Sequence, residues 1–290
     1  MAHSDTAHYA DHATFQSVTV LENVQLARDT YRVRFHCPEL ARRIVPGQFV
    51  MLRLAGSNDP LLGRPLALYD TVLAEGPRGS AVGIDVVYLV LGKMTGRLAK
   101  LLPGQALEVW GPLGNGFAPC ETEHLVMVAG GIGQTPFPAL AAEALGQRIY
   151  GDPPRSAHRV SRVTLCYGAR SKDYLAGIDD FQRLGVEVRT STDDGSAGHK
   201  GFVTELLEQV LDESPAARVV CCGPEPMMER VAHITAKRGV PCQVSLETPM
   251  ACGIGICFSC VARVRDAEGN WDYRRTCVEG PVFDATTLEW

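Results

Sequence analysis

The sequence predicts a multidomain β plus α/β protein: a small antiparallel β-barrel, a doubly wound parallel α/β domain, and a compact C-terminal module held by cysteines. Three observations carry this. The first third is a series of short alternating strands parted by Gly/Pro turns. The middle third switches to continuous apolar runs, each leading into a glycine turn. Near the C-terminus Cys252-x4-Cys257-x2-Cys260 is answered, after sixteen intervening residues, by Cys277.

At 290 residues the chain has room for two domains and a small third. The expected division is a disordered tail over 1–14, the barrel over 15–118, the α/β domain over 119–245 and the cysteine module over 246–290. Hydrophobic residues make up 46% and charged residues 21%, as in soluble globular proteins. A net charge of −5 with scattered Lys and Arg offers no basic surface for nucleic acid. No apolar run reaches the length of a membrane span. His3, His8 and His12 lie among small polar residues at the start, which reads as a frayed tail rather than a metal site. That tail also lacks the apolar core of a signal peptide. A soluble, cytoplasmic protein is expected, with no nucleic-acid or membrane partner.

Taken in order, 17–24 and 30–36 alternate apolar and polar residues as half-buried antiparallel strands do. Pro46-Gly47 turns the chain into a strand over 48–54. A further strand is expected over 84–91, and Pro103-Gly104 precedes another over 106–110. Short strands with Gly/Pro turns and no long helical pattern suggest a small barrel. Three pieces stand out: Arg64-Pro-Leu-Ala-Leu-Tyr69 at a strand start, Gly92-Lys-Met-Thr-Gly-Arg97 before a short helix expected over 97–102, and the glycine-rich Gly111-Pro-Leu-Gly-Asn-Gly-Phe117. Each is either a binding element or an ordinary turn; helix-terminal amides in the second suit a phosphate.

In the middle third, His124-Leu-Val-Met-Val-Ala129 is apolar throughout, as in a strand buried on both faces. It runs into Gly130-Gly-Ile-Gly-Gln-Thr-Pro136 and an alanine-rich helix over 137–145. A glycine turn between strand and helix lets a pyrophosphate approach backbone amides at the positive helix end. Strands over 162–167, 185–190 and 217–222 repeat this logic, the last ending at Cys222-Gly-Pro-Glu-Pro226 before a helix over 227–238. Asp193 and Asp194 suit either a ribose or a solvated turn. Gly151-Asp-Pro-Pro-Arg155 reads as a surface insertion.

The cysteine spacing is that of plant-type ligation of a [2Fe–2S] cluster. Gly253 and Gly255 permit the tight loop that brings three thiolates together. Two disulfides, structural zinc or simple packing are the alternatives; the x4 spacing and lone fourth cysteine fit zinc knuckles poorly. After the motif, 261–265 and 271–275 form a hairpin that returns Cys277 to the loop. Most of the remaining cysteines (Cys37, Cys120, Cys166, Cys221, Cys222 and Cys242) sit in apolar, strand-like contexts where a thiol packs as a small hydrophobe.

Arg64-Pro-Leu-Ala67, GGIGQTP and CGPEPMM, in this order, resemble the ferredoxin-reductase family of flavoproteins. The resemblance implies that Arg64 pairs with the FAD pyrophosphate while Pro65, Leu66 and Ala67 lie under the flavin ring. Val87, Tyr88 and Leu89, with Met94 and Thr95, would cover the rest of the cofactor. The family usually has Ser or Thr at the position of Ala67, which puts that one hydrogen bond in doubt. Gly131, Ile132, Gly133 and Thr135 would face the NAD(H) pyrophosphate. Cys222, with Gly223 and Pro224, would lie near the nicotinamide, unless Cys222 is simply a core cysteine.

With Met250-Ala-Cys-Gly-Ile-Gly-Ile-Cys-Phe-Ser-Cys260 and Cys277-Val-Glu-Gly-Pro-Val-Phe283, the resemblance narrows to the electron-transfer subunits of dihydroorotate dehydrogenase B. It then covers nearly all of 15–284 and makes Cys252, Cys257, Cys260 and Cys277 the iron ligands. It implies electrons passing from the FMN of a catalytic partner subunit, through [2Fe–2S] and FAD, to NAD⁺. The assembly would be a heterotetramer with two copies of each chain. A flavin belongs between the end groups because nicotinamide exchanges electrons in pairs and the cluster singly. Ile254, Ile256 and Phe258 would supply an apolar contact to the partner or pack inward. Trp290 would cap the flavin or belong to a disordered end. Rival readings are a paralogous subunit of a ferredoxin:NADP⁺ oxidoreductase or sulfide dehydrogenase, an oxygenase reductase with a longer ferredoxin module, and a zinc-stabilised interaction module without redox activity.

Overall fold

The computed structural model describes residues 12–290 except 75, 77, 78, 120, 215 and 216. The expectations for His3, His8 and Cys120 lie outside the described residues.

The first body is a closed antiparallel barrel with strand order β1-β2-β5-β4-β3-β6. Its strands are β1 (Thr14–Ala27), β2 (Thr30–His36), β3 (Phe49–Leu54), β4 (Arg64–Leu73), β5 (Ala81–Leu89) and β6 (Ala106–Leu113). Alternation sends Val33, Phe35, Leu68, Ile84, Val86 and Val109 into a core where each is 0% exposed. Each such side chain contributes about 1.5–3 kcal/mol by leaving water. Thr14 is already paired with Gly111, so order begins inside the segment expected to be a tail.

Two short helices complete the barrel. Helix α1 (Pro38–Arg43) was not legible as a helix, yet Leu40 and the following Ile44 are fully buried in the barrel core. Helix α2 spans Lys93–Leu98 rather than the expected 97–102. The hydroxyl of Thr95 accepts from the amides of Leu91 (3.0 Å) and Gly92 (3.2 Å), which starts the helix four residues earlier.

The second body is a seven-stranded sheet, order β10-β9-β8-β7-β11-β12-β15. The strands are β7 (His124–Gly130), β8 (Arg162–Ala169), β9 (Glu187–Thr192), β10 (His199–Lys200), β11 (Arg218–Cys222) and β12 (Cys242–Ser245), all parallel. Helices α3 (Phe137–Ala144), α4 (Ile178–Arg183), α5 (Val203–Glu213) and α6 (Glu225–Arg238) cover it. All eight residues of α3 are buried, because the helix packs between the sheet and barrel strand β4. Its alanines keep that three-layer spacing narrow.

The C-terminal module contributes the hairpin β13 (Val261–Arg265) and β14 (Trp271–Arg275), over the expected residues, with Val261 paired to Arg275 and Arg265 to Trp271. Its last strand, β15 (Val282–Asp284), was not foreseen as a sheet strand: it pairs antiparallel with β12 at the edge of the α/β sheet. Trp290 does not hang free; it packs, partly buried, against the α/β core.

Side chains sew the bodies together. Tyr69 donates to Asp180 at 2.6 Å and Tyr150 to Asp70 at 2.7 Å, both between barrel and α/β domain. The loop expected as a surface insertion is anchored: Arg155 bonds Glu143 at 2.7 Å and the Phe117 carbonyl at 2.6 Å. The glycine-rich 111–117 segment grips the C-terminal module. Asn115 donates to the Val282 carbonyl at 2.8 Å and accepts from the Val282 amide at 3.1 Å.

Candidate cofactor sites

The order of the parallel sheet reverses between β7 and β11, and the turns leaving these two strands touch. A Cβ on Gly223 would stand 2.9 Å from the Gly130 nitrogen, so both turns require glycine. Ligands bind at such switch points. Here a cavity of about 850 Å³ opens between the barrel and the α/β domain. Gly131, Ile132, Gly223 and Pro224 line it from the sheet side, and Leu89 lines it from the barrel. Gly133 does not line it: a Cβ there would meet the Cys222 carbonyl at 2.3 Å, so this glycine serves strand–helix packing. Thr135 is also buried away from it.

Cys222 is 3% exposed behind the cavity wall, and burial pushes its thiol well above the usual range. Its Sγ donates to Glu247 Oε1 at 3.9 Å, and Glu247 does line the cavity. The two aspartates part company. Asp193 faces the cavity, whereas the carboxylate of Asp194 accepts from the Ser196 amide (2.9 Å) and hydroxyl (2.6 Å). Sequence reasoning missed Phe202 and Arg230 at the rim, and Ser191 inside. The Ser191 hydroxyl is buried, borders the cavity and has no hydrogen-bond partner among the described residues. A nucleotide, with its sugar and phosphate oxygens, fits such a lining.

At the outer edge of the barrel, β4 begins with Arg64, whose exposed guanidinium bonds the carbonyls of Leu62 (3.1 Å) and Gly63 (2.9 Å). Pro65, Leu66 and Ala67 are partly exposed beside it. Leu61 and Leu62, just before β4, are 61% and 49% exposed, apolar surface suited to a flanking aromatic ring system. Tyr88 takes no part in that surface. Its ring is buried in the barrel core and its hydroxyl donates to Asn23 at 3.0 Å. Val87, one residue earlier, is buried outside that core, and Met94 lies within it.

The cysteine loop folds back against the barrel. Gly253 and Gly255 have φ of +74° and +82°, and a Cβ on Gly255 would meet Val278 at 2.6 Å. Both positions therefore demand glycine on conformation and on space. The Thr276 amide donates to the Cys260 carbonyl at 2.7 Å, which brings Cys277 beside Cys260. All nine described cysteines are free thiols, contrary to the disulfide alternative.

The four motif thiols stand as two pairs. A hydrogen bond from Cys277 holds Cys260 down at about 6 and pushes Cys277 up in return. Ser259 at 3.1 Å, and then Cys252, lower Cys257 to about 6. Among the described residues no group of three or more His, Cys, Asp or Glu side chains is gathered closely enough to hold a single metal ion, the motif cysteines included. A two-iron cluster takes two thiolates per iron, whereas structural zinc takes four ligands at one point. The donor set fits the former. Ile254, Ile256 and Phe258 point outward around it, at 36%, 74% and 63% exposure.

Barrel, nucleotide-type sheet and thiolate module define an oxidoreductase of the FAD- and NAD-binding class. Family comparisons divide the chain in the same way. An oxidoreductase FAD-binding domain matches residues 17–117, an oxidoreductase NAD-binding domain 127–233, and the iron–sulfur cluster binding domain of dihydroorotate dehydrogenase B 247–289. The chain is 36% identical over 272 residues to the dihydroorotate dehydrogenase B (NAD(+)) electron transfer subunit of Desulforamulus reducens, covering 93% of this chain and 97% of that one. Its counterpart in Caldanaerobacter subterraneus is 34% identical, with 91% and 94% covered. Among solved structures, the NADH-dependent reduced ferredoxin-NADP oxidoreductase studied for flavin-based electron bifurcation aligns with a TM-score of 0.77 at 29% identity, covering 94% and 90%. The cytochrome P450 reductase GcoB of Amycolatopsis shares the fold, with a TM-score of 0.61 at 23% identity over 78% of this chain and 66% of that one. The chain belongs to the family of dihydroorotate dehydrogenase B electron transfer subunits. No helix among the described residues is long and apolar enough to cross a membrane.

Proposed function

We propose that this chain carries electrons from a dihydroorotate-oxidising partner subunit to NAD⁺. The observation that carries the reading is the paired thiolate loop seated on the barrel, with the cavity on the barrel's other flank. FAD, when bound, supplies exchange of electrons singly or in pairs, which a chain serving both a cluster and nicotinamide requires. Arg64 would hold the pyrophosphate as a charge-assisted partner. Pro65, Leu66 and Ala67 would support the ring, with Leu89 and Thr95 alongside. Gly131, Ile132, Gly223 and Pro224 would let the nicotinamide nucleotide approach the backbone. Cys222 would act from behind that wall, filling space near the nicotinamide. Cys252, Cys257, Cys260 and Cys277 would hold the iron.

The partner would carry FMN and dock on the exposed Ile254, Ile256 and Phe258, in an assembly of two copies of each chain. Anaerobic co-expression with the candidate catalytic subunit tests this: the pair should reduce NAD⁺ with dihydroorotate, and this chain alone should not. The likeness to a ferredoxin-NADP oxidoreductase favours one alternative, a paralogous subunit of such an enzyme. Reduced ferredoxin and NADP⁺ in place of dihydroorotate and NAD⁺ would then support turnover.

A further inference from the structure

We infer that Trp110 is a positioning residue that sets the distance and orientation between the flavin strand and the cluster loop. This rests on the function proposed above. The indole lies on β6, paired with Met51 of β3 and Phe15 of β1. Its Nε1–H donates to the carbonyl of Cys252, the first thiolate ligand, at 2.9 Å across 142 residues of sequence. The far edge of the same ring lies against Gly63, the residue before Arg64. A Cβ on Gly63 would stand 2.7 Å from Trp110 Cη2. One rigid side chain with two rotatable bonds thus spans from a cluster ligand to the start of the flavin strand.

The geometry also explains why Gly63 is glycine: its φ is ordinary, but a side chain there would collide with the indole and crowd the Leu52 carbonyl at 3.1 Å. Trp110 is partly buried, packed against the cluster of Phe49, Met51, Leu113, Met250, Cys260 and Cys277, so the ring is wedged rather than free to swing. Removing it loosens the Cys252 end of the loop and opens a gap beside β4. Single-electron exchange between the two groups falls steeply with separation; hydride exchange at the nicotinamide cavity does not involve this contact. The two steps should therefore respond differently.

The test uses the full chain, purified anaerobically with its flavin and iron content measured. Trp110→Phe keeps a ring but removes the N–H; Trp110→Leu removes both contacts; Gly63→Ala leaves the indole intact and pushes it aside. Stopped-flow mixing with NADH follows flavin bleaching and cluster reduction separately, and EPR records the line shape of the reduced cluster. Bleaching should keep its wild-type rate in all three variants. Cluster reduction should slow severalfold in Trp110→Phe and by on the order of 10–100-fold in Trp110→Leu and Gly63→Ala, as ångström-scale misplacement does, with an altered EPR line shape. Cluster reduction at the wild-type rate with an unchanged EPR signal in the loaded variants overturns the inference. If the Trp110 variants fail to fold, Gly63→Ala decides alone. Wild-type protein with no iron or no flavin would instead overturn the wider reading.

Discussion

Gly253 lies so close to Met51 that a Cβ on the glycine would come within 2.5 Å of the methionine Cγ. This contact seats the cysteine loop directly on barrel strand β3, whose other neighbour, β4, pairs Pro65 with Met51. Loop and flavin strand are therefore one strand apart.

Gly253→Ala should abolish cluster assembly while sparing the barrel. The φ of +74° and the Met51 contact both oppose a side chain, at a combined cost of about 2–4 kcal/mol. Iron and acid-labile sulfide should fall to a minor fraction of wild type, with flavin content retained. Full iron content would contradict the close approach.

Arg155→Ala should destabilise the protein by about 3 kcal/mol or more, because it strands the Glu143 carboxylate, whose side chain is 5% exposed. Adding Glu143→Gln should recover part of the loss. Denaturant midpoints of the single and double variants measure this.

Stability should fall in mildly acidic solution through His124. Burial, and then Arg162, hold its pKa below the usual 6.5. The folded state then binds fewer protons than the unfolded chain between the two values. Stability therefore rises with pH through that window, by at most about 1.4 kcal/mol per unit, and is flat above 6.5. His124→Gln, which can still bond the Thr164 hydroxyl, should flatten the lower part of the Tm–pH curve. An unchanged slope would refute the assignment.

Ile256→Glu with Phe258→Glu should weaken partner binding by about tenfold or more, as loss of apolar anchors does. NADH-driven dye reduction by the isolated chain should stay the same. Size-exclusion chromatography of mixtures, beside that assay, separates the two.

Much of this architecture was legible because side-chain period reports burial. β2 and the β13–β14 hairpin emerged with their bounds, and the run from His124 marked a strand buried on both faces. What escaped depends on contacts distant in sequence. Pro38–Arg43 is too short for helical periodicity, and only the barrel core explains its apolar face. Val282–Asp284 is three residues long and becomes a strand because β12 offers an open edge. Arg64 and the four cysteines were legible as motifs. Gly133 was read as a phosphate glycine, because sequence cannot tell a glycine that admits a ligand from one that admits the Cys222 carbonyl. Ser191 and Trp110 carry no motif at all; their surroundings are built by remote segments.

The central claim is that this chain couples pyridine nucleotide to a cysteine-bound two-iron centre through flavin. Anaerobic NADH titration, followed by visible absorption and low-temperature EPR, tests it most directly. The account predicts flavin bleaching together with a reduced-cluster signal, and in Cys252→Ser the bleaching without that signal. A colourless protein containing zinc, or a cluster signal that survives Cys252→Ser, would contradict it.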